Sequence, residues 1–181
     1  MKIIFSTNIS EDFIYDVQKI DRQVYLPSEC ASFETDRDRW LKNKDSYILL
    51  YDETSHSNKF IGYMSFFPIS DELLHLMKTT DKAYDDDITP DMIKAYEGDV
   101  HIFILSIVVH ADYRNGEAIC KLTNAFKDFI EEKNSSKVCN IKDITALAVS
   151  DGGRKILGKL GLKKLKEVEH GYDLFHEELS N

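Results

Sequence analysis

The chain has 181 residues, of which 43% are hydrophobic and 30% charged, a composition typical of one soluble globular domain. Its net charge of −9 at pH 7 argues against binding nucleic acid, which requires a basic surface, and no apolar run is long enough to span a bilayer. Cys30, Cys120 and Cys139 lie far apart, which indicates reduced thiols in a cytoplasmic protein and argues against disulfides or a metal site.

The acidic balance also fits a cationic or amine-bearing partner, although solubility alone explains it equally well. The first half of the chain predicts short helices and strands that end in an antiparallel meander. In chain order, these elements are a strand over 2–7, a helix from Ser10 with apolar positions as far as Val24, a short helix over 35–41, and strands over 46–51 and 59–69.

A polar, acidic segment at about 71–97 follows the meander and is longer than a typical connection. It contains a predicted helix over 71–78, a run of aspartates at 85–87 and a second predicted helix over 90–96 that begins at Pro90. Such an insertion is either a lid over a substrate cleft or a surface decoration, and the sequence leaves both open.

The stretch from His101 to Phe129 predicts a buried strand, a polar turn with Gly116 and an amphipathic helix. This order exposes backbone N–H groups at the start of a helix, where a phosphate group can bind. A second buried strand over 144–149, a short helix over 154–160 and a final strand pair over 163–168 and 172–175 complete the chain.

The predicted fold class is α/β with a mixed sheet in one domain spanning residues 1–181. Because a crossover helix joins the strands at 101–109 and 144–149, we expect these two strands to be parallel neighbours. The earlier strands form the antiparallel part of the same sheet.

The stretch after the central strand resembles the signature of the GNAT superfamily of acyl-CoA-dependent N-acetyltransferases. That signature is Q/R-x-x-G-x-G/A, often preceded by V-x-P-x-Y. Val109 and Tyr113 match the lead-in, with Ala111 in place of the proline, and Gly116 and Ala118 fall on the G-x-G/A pair. Tyr113 also stands where the family has Gln or Arg, and Arg114 is one position late.

The second family signature, N-x-x-A-x-x-L-Y-x-x-x-G-F, resembles the stretch that ends at Gly161 and Leu162. Ser150 falls on its Asn and Leu157 on its Tyr. The resemblance covers residues 100–165 and implies a GNAT-like fold, acetyl-CoA as co-substrate and an amine acceptor, either a small molecule or a protein amine.

The resemblance also implies a set of cofactor-binding residues along the strand, the turn and the later helix. They are Ile107, Val108, Val109, Arg114, Asn115, Gly116, Glu117, Ala118, Ser150 and Arg154. Ser106, Ile107 and the insertion would shape the acceptor pocket.

Two residues, His101 and Ser150, are candidates for catalysis. His101 has a side chain suited to a general base, but a strand-end histidine satisfied by its neighbours is the alternative. Leu157 replaces the tyrosine that usually protonates the leaving thiolate, so Ser150, Tyr113, another tyrosine or water would take that part.

Three functions are therefore open. The first is transfer of an acetyl group from acetyl-CoA by direct attack of the amine. The second is an acyl-CoA-binding regulatory module with little or no catalysis, and the third is an unrelated phosphate-binding protein. The sequence predicts a monomer or a homodimer without deciding between them.

Overall fold

The computed structural model describes residues 1–54, 58–85, 87–114 and 116–179, which form seven strands and five α-helices. The strands are β1 (Lys2–Phe5), β2 (Tyr47–Asp52), β3 (Lys59–Ile69), β4 (Gly98–Val109), β5 (Cys139–Ala148), β6 (Lys163–Val168) and β7 (Tyr172–Glu178). The helices are α1 (Phe13–Asp21), α2 (Phe33–Lys42), α3 (Asp71–Thr79), α4 (Glu117–Ser135) and α5 (Asp151–Leu160).

The strands form one mixed sheet in the order β1-β2-β3-β4-β5-β7-β6. The β1–β2, β2–β3, β5–β7 and β6–β7 pairs are antiparallel, whereas β4 and β5 are parallel neighbours joined through α4. The predicted mixed α/β sheet, with a meander followed by a parallel pair around a crossover helix, is confirmed.

The described chain divides into two compact units. Unit 1 comprises Met1–Ser65 and Ser106–Asp128, and unit 2 comprises Phe66–Leu105 and Phe129–Asn181. The prediction that residues 1–181 form one domain, with an insertion at about 71–97, stays a prediction.

The core of unit 1 is built on one face of α1. Phe13, Ile14, Val17 and Ile20 recur at helical spacing and are all buried. The Phe13 ring packs edge-on against Trp40 of α2, with ring centroids 5.5 Å apart. Burying each such side chain contributes about 1.5–3 kcal/mol, so this face fixes α1 firmly in unit 1.

The core of unit 2 includes the end of the acidic segment. Phe129 of α4 packs edge-on against Phe66 of β3 and Tyr96, with centroid distances of 5.0 and 5.4 Å. Ile88 and Ile93 are also buried. The stretch that follows α3 therefore contributes apolar side chains to the core of this unit.

The predicted helix over 90–96 is wrong. Only a 3₁₀ turn, Pro90–Met92, forms there, and Ile93 makes an isolated antiparallel bridge to Ile69. The bridge takes the backbone of Ile93 out of any helix, because burying Ile93 beside β3 outweighs the weak helical preference of a seven-residue segment.

Several predicted boundaries also move. Helix α1 starts at Phe13 and ends at Asp21, so Val24 lies beyond it and is 42% exposed. Strand β4 starts at Gly98, earlier than predicted, because Gly98 and Asp99 pair with the start of β5 despite their polar character. Helix α2 starts at Phe33, where the Ser32 side chain accepts a hydrogen bond from the Thr35 N–H.

Candidate functional site

The last residues of β4 carry a strand edge that β5 does not use. The parallel pairing between β4 and β5 ends at Ile104 and Ala146, yet β4 continues to Val109. Among the residues described, Ile107, Val108 and Val109 therefore have no partner in β5. These three are predicted cofactor-binding residues, and their edge has the backbone geometry to pair with an extended ligand.

On its other side, the end of β4 lies close against β3 within unit 1. The His110 N–H donates to the Ile61 carbonyl at 2.8 Å. A Cβ added at Gly62 would lie only 2.7 Å from the Val108 carbonyl oxygen. Glycine is therefore required at position 62 for this close approach, which fixes the end of β4.

The turn after β4 is anchored by the residue that departs from the family signature. The Tyr113 hydroxyl donates to Asp52 Oδ2 at 2.7 Å, and Lys59 Nζ lies 5.3 Å from the centre of the Tyr113 ring. Hydrogen bonds from Thr54 and then Tyr113 lower the pKa of Asp52 to about 2. Tyr113 thus ties the turn to the β2–β3 hairpin.

The start of α4 has the features of an anion-binding site. Gly116 has a φ of +93°, a left-handed conformation that strongly favours glycine. Within the described ranges, the N–H groups of Gly116 and Ala118 have no protein acceptor. Arg114 Nε donates to the Val109 carbonyl at 3.1 Å, which holds the guanidinium beside the strand end.

Two other predicted cofactor residues belong to the same stretch. Glu117 is the exposed first residue of α4, and because its acidic side chain would repel an anionic cofactor, its predicted contact stays a prediction. Asn115 lies outside the described residues.

Unit 1 also holds a chain of hydrogen-bonding side chains that ends on β4. The Tyr63 hydroxyl donates to Asp21 Oδ1 at 2.7 Å and lies 3.2 Å from Ser106 Oγ. The Tyr25 hydroxyl is 3.1 Å from the same serine oxygen. Ser106 immediately precedes Ile107 on β4, so the hydroxyl chain starts next to the unused strand edge.

The electrostatics of this hydroxyl chain are unusual. Burial raises the pKa of Asp21 to about 7, and the nearby Asp36 adds to this effect, while the hydrogen bond from Tyr63 opposes it. Burial and then the Asp21 charge raise the pKa of Tyr63 well above its ordinary value. At neutral pH, Tyr63 is thus a neutral phenol and Asp21 is close to half-ionised.

Unit 2 places Ser150 and Arg154 at the start of α5. Ser150 caps this helix, because its Oγ accepts from the Gly153 N–H at 3.1 Å. The Arg154 guanidinium contacts Asp173 at 2.6 Å, Asp151 at 3.1 Å and the Gly171 carbonyl at 3.1 Å. Both residues therefore have structural partners within unit 2, and their predicted roles stay predictions.

His101 is held between two carboxylates of unit 2. Its Nδ1 is 2.6 Å from Asp143 Oδ2, and its Nε2 is 2.7 Å from Asp71 Oδ1. Asp143 is buried and Asp71 is exposed at the start of α3. Both ring nitrogens are thus in contact with protein carboxylates, and the role of His101 as a general base stays a prediction.

Sequence reasoning missed Asp21, Tyr63 and Tyr25. Helical spacing places Asp21 beside Ile14 and Val17 on the apolar face of α1, but the spacing does not show which side chains it would contact. Ser106 was expected near the acceptor pocket, but its tyrosine partners come from distant parts of the chain.

No helix in the described ranges has the length and apolar character that crossing a bilayer requires. The same residues form no cluster of three or more His, Cys, Asp or Glu side chains that could hold a metal ion. All three cysteines are free, and Cys120 is exposed.

The chain has the fold of solved GNAT N-acetyltransferases. Arabidopsis thaliana NAA60 in complex with acetyl-CoA matches with a TM-score of 0.66 and 15% identity, over 98% of this chain and 100% of that chain. The NatC complex bound to Gag peptide and CoA matches with a TM-score of 0.65 and 14% identity, over 99% of this chain and 100% of that chain. The loading GNATL domain of CurA from Lyngbya majuscula matches with a TM-score of 0.67 and 9% identity, over 98% of this chain and 96% of that chain.

No protein-family model and no curated protein sequence matches the chain. At identities this low, the structural likeness establishes the fold, and the predicted GNAT-like fold is confirmed.

Proposed function

We propose that this protein is an N-acetyltransferase, which moves the acetyl group of acetyl-CoA to an amine by direct attack. The observation that carries the proposal is the unused edge of β4, which leads straight into a turn and the N-terminus of α4. The solved structures with this fold include one bound to acetyl-CoA and one bound to a peptide and CoA.

The edge of β4 suits the pantetheine arm of acetyl-CoA. The arm is extended and carries amide groups, so it can pair with the backbone of Ile107 and Val109 as an added strand would. The carbonyl of Val108, between them, lies against Gly62 of β3. Three residues of strand span about 10 Å, which gives the arm a defined track from the turn towards Ser106.

The start of α4 suits the pyrophosphate of the cofactor. The N–H group of the exposed Gly116 is available to anionic oxygens, and the helix dipole favours negative charge there. Ala118 is fully buried, so its contact with the cofactor stays a prediction. Arg114 adds a positive charge fixed by its bond to Val109. Ser150 and Arg154 of unit 2 remain proposed cofactor contacts. To bind the cofactor, they would have to keep or give up their present hydrogen bonds to protein groups.

The chemistry requires few protein groups. An amine that is protonated in water must lose one proton before its lone pair can attack the thioester carbonyl. The N–C bond then forms, the C–S bond breaks, and the sulfur of CoA takes a proton from the former amine nitrogen. Backbone N–H groups at the end of β4 would stabilise the negative carbonyl oxygen in between.

Incubation with acetyl-CoA and a panel of amines tests the proposal. The panel contains small primary amines, peptides with free N-termini and lysine-containing peptides with blocked N-termini. CoA release is followed by chromatography, because the exposed thiol of Cys120 would react with thiol-specific dyes. We expect binding of CoA in calorimetry and CoA release that depends on one class of amine.

An acyl-CoA-binding regulatory module is the second candidate function. Leu157, which stands where the family usually has its proton-donating tyrosine, is buried in unit 2 and cannot donate a proton. CoA binding without CoA release on any amine would support this second function. Binding of a nucleoside triphosphate without affinity for CoA would instead contradict both.

A further inference from the structure

We propose that Asp21 is the final acceptor of the proton that the amine loses, and that the proton reaches it through the hydroxyl groups of Ser106 and Tyr63. This inference rests on the proposed acetyl transfer. It assigns the general base, which the sequence left open, to a residue at the end of α1.

The first support is the geometry of the three side chains. The distance from Asp21 Oδ1 to the Tyr63 hydroxyl is 2.7 Å, and that from the Tyr63 hydroxyl to Ser106 Oγ is 3.2 Å. The first distance lies within the usual range of O–H···O hydrogen bonds, and the second lies just beyond the long end of that range. The chain is continuous from the strand β4 to a carboxylate, without a gap that a bound water would have to fill.

The second support is the number of protons available. A phenol carries a single hydroxyl proton, so Tyr63 can donate to only one of its two neighbours at a time. When Asp21 is ionised, Tyr63 donates to it, and the Ser106 hydroxyl can then donate to Tyr63. Each hydroxyl can thus pass on its own proton and accept the next, which is what a relay requires.

The third support is where the chain begins. Ser106 is half-buried and immediately precedes the edge residues Ile107 to Val109. If the pantetheine arm follows that edge away from the pyrophosphate, its thioester end approaches Ser106. An amine that attacks the thioester would then lie within reach of the serine oxygen.

The surroundings of Asp21 suit a base that works near neutral pH. Asp36 and the buried Arg39 on α2, Tyr47 on β2 and Tyr25 beyond α1 are the other titratable or charged groups that act on this cluster. Burial raises the pKa of Asp21 to about 7. A base of that strength accepts a proton from an ammonium group far better than an ordinary aspartate does.

The protons balance over one turnover. The ammonium group gives one proton to Ser106, Tyr63 passes one on, and Asp21 changes from carboxylate to carboxylic acid. The neutral amine attacks, the N–C bond forms, the C–S bond breaks, and a second proton from the nitrogen reaches the sulfur. Asp21 then releases its proton to water, which restores the carboxylate.

The test compares Asp21→Asn and Tyr63→Phe with the control Asp16→Asn, measuring kcat and KM between pH 5.5 and 9.5. Asp16 is an exposed carboxylate on the same helix, so its substitution removes the same charge outside the relay. Calorimetric CoA binding and circular dichroism are measured for every variant, which separates folding and cofactor binding from proton transfer.

For the unmodified protein, we expect kcat/KM to rise with pH and to level off above a midpoint near 7. Asp21→Asn should lower kcat about 100-fold, the lower end of what a general base contributes. Its activity should then rise with pH up to the ordinary pKa of the amine used, about 8 for a peptide N-terminus and about 10.4 for a lysine, following the fraction of neutral amine. The kcat of Tyr63→Phe should fall by a similar factor, and the kcat of Asp16→Asn should stay within twofold of that of the unmodified protein.

Two results would overturn the proposal in distinguishable ways. If Asp21→Asn keeps its activity within twofold and retains the midpoint near 7, the relay is wrong while the acetyltransferase function stands. If the unmodified protein binds CoA but releases none on the amine panel, acetyl transfer fails, and the relay fails with it.

Discussion

Asp21 should lower the free energy of unfolding at the pH values where its ionised carboxylate can accept a proton. A carboxylate whose pKa rises on folding keeps its proton in the folded state after the unfolded chain has lost it. Folding then becomes less favourable as pH rises through the interval between the two values. For Asp21 this interval runs from 3.8, its ordinary value, to about 7.

The magnitude follows from the difference between the two pKa values. Each pKa unit corresponds to about 1.36 kcal/mol, so the interval of roughly three units amounts to about 4 kcal/mol. Solvent at this partly exposed group lowers that figure, and we expect about 2 kcal/mol. Asn has the same shape and can still accept the hydrogen bond from Tyr63, but it carries no charge. Asp21→Asn should therefore stabilise the protein above pH 7 while it abolishes the proposed proton transfer.

Urea unfolding at pH 4.5 and pH 8 measures this directly. The difference in unfolding free energy between Asp21→Asn and the unmodified protein should be small at pH 4.5 and close to its maximum at pH 8. Most other titrating groups are common to both proteins and cancel in this difference. A difference that is the same at both pH values, or a variant that is less stable at pH 8, would refute the reasoning.

Three further substitutions test the cofactor site and the contacts of His101 with Asp71 and Asp143. Gly116→Ala should weaken CoA binding at least ~10-fold in calorimetry, whereas the control Gly98→Ala, at another glycine with a positive φ, should leave CoA affinity unchanged. Equal affinities for the two variants would contradict the placement of the pyrophosphate. Tyr113→Phe should raise the pKa of Asp52 towards its ordinary value, read by carboxyl NMR, and weaken CoA binding with kcat unchanged; an unchanged pKa would contradict the anchoring contact. His101→Asn should lower the unfolding free energy by about 3 kcal/mol, because it leaves a buried carboxylate without its partner; unchanged stability with lost activity would instead make His101 the base.

Part of the site was predictable because its features are local. The apolar run of β4, the polar turn and the amphipathic face of α4 are continuous in the sequence, and a helix N-terminus always leaves free N–H groups. Gly116 was also predictable, since a turn at that point needs a residue that tolerates a positive φ. The candidate cofactor site therefore rests on short-range physics.

Other features depended on competition that the sequence does not display. Pro90 suited the first turn of a helix over 90–96, but burial of Ile93 beside Ile69 decided the conformation of this segment. Val24 continued the apolar spacing of α1, yet the helix ends three residues earlier and leaves Val24 exposed. In both places a long-range contact, or the lack of one, outweighed a local preference.

The sequence by itself determined the order of the elements, the mixed sheet and the strand, turn and helix that suit a CoA cofactor. These follow from hydrophobic periodicity and turn chemistry over short stretches of chain. Only the tertiary structure selected Asp21 from among the many acidic residues. Its raised pKa comes from burial and from the nearby Asp36, against the opposing hydrogen bond from Tyr63. Ser106, which completes the chain of hydroxyls, lies 85 positions along the sequence from Asp21. Helical spacing could place Asp21 on the apolar face of α1, but it could not reveal its partners, because long-range hydrogen bonds exist only once the chain has folded.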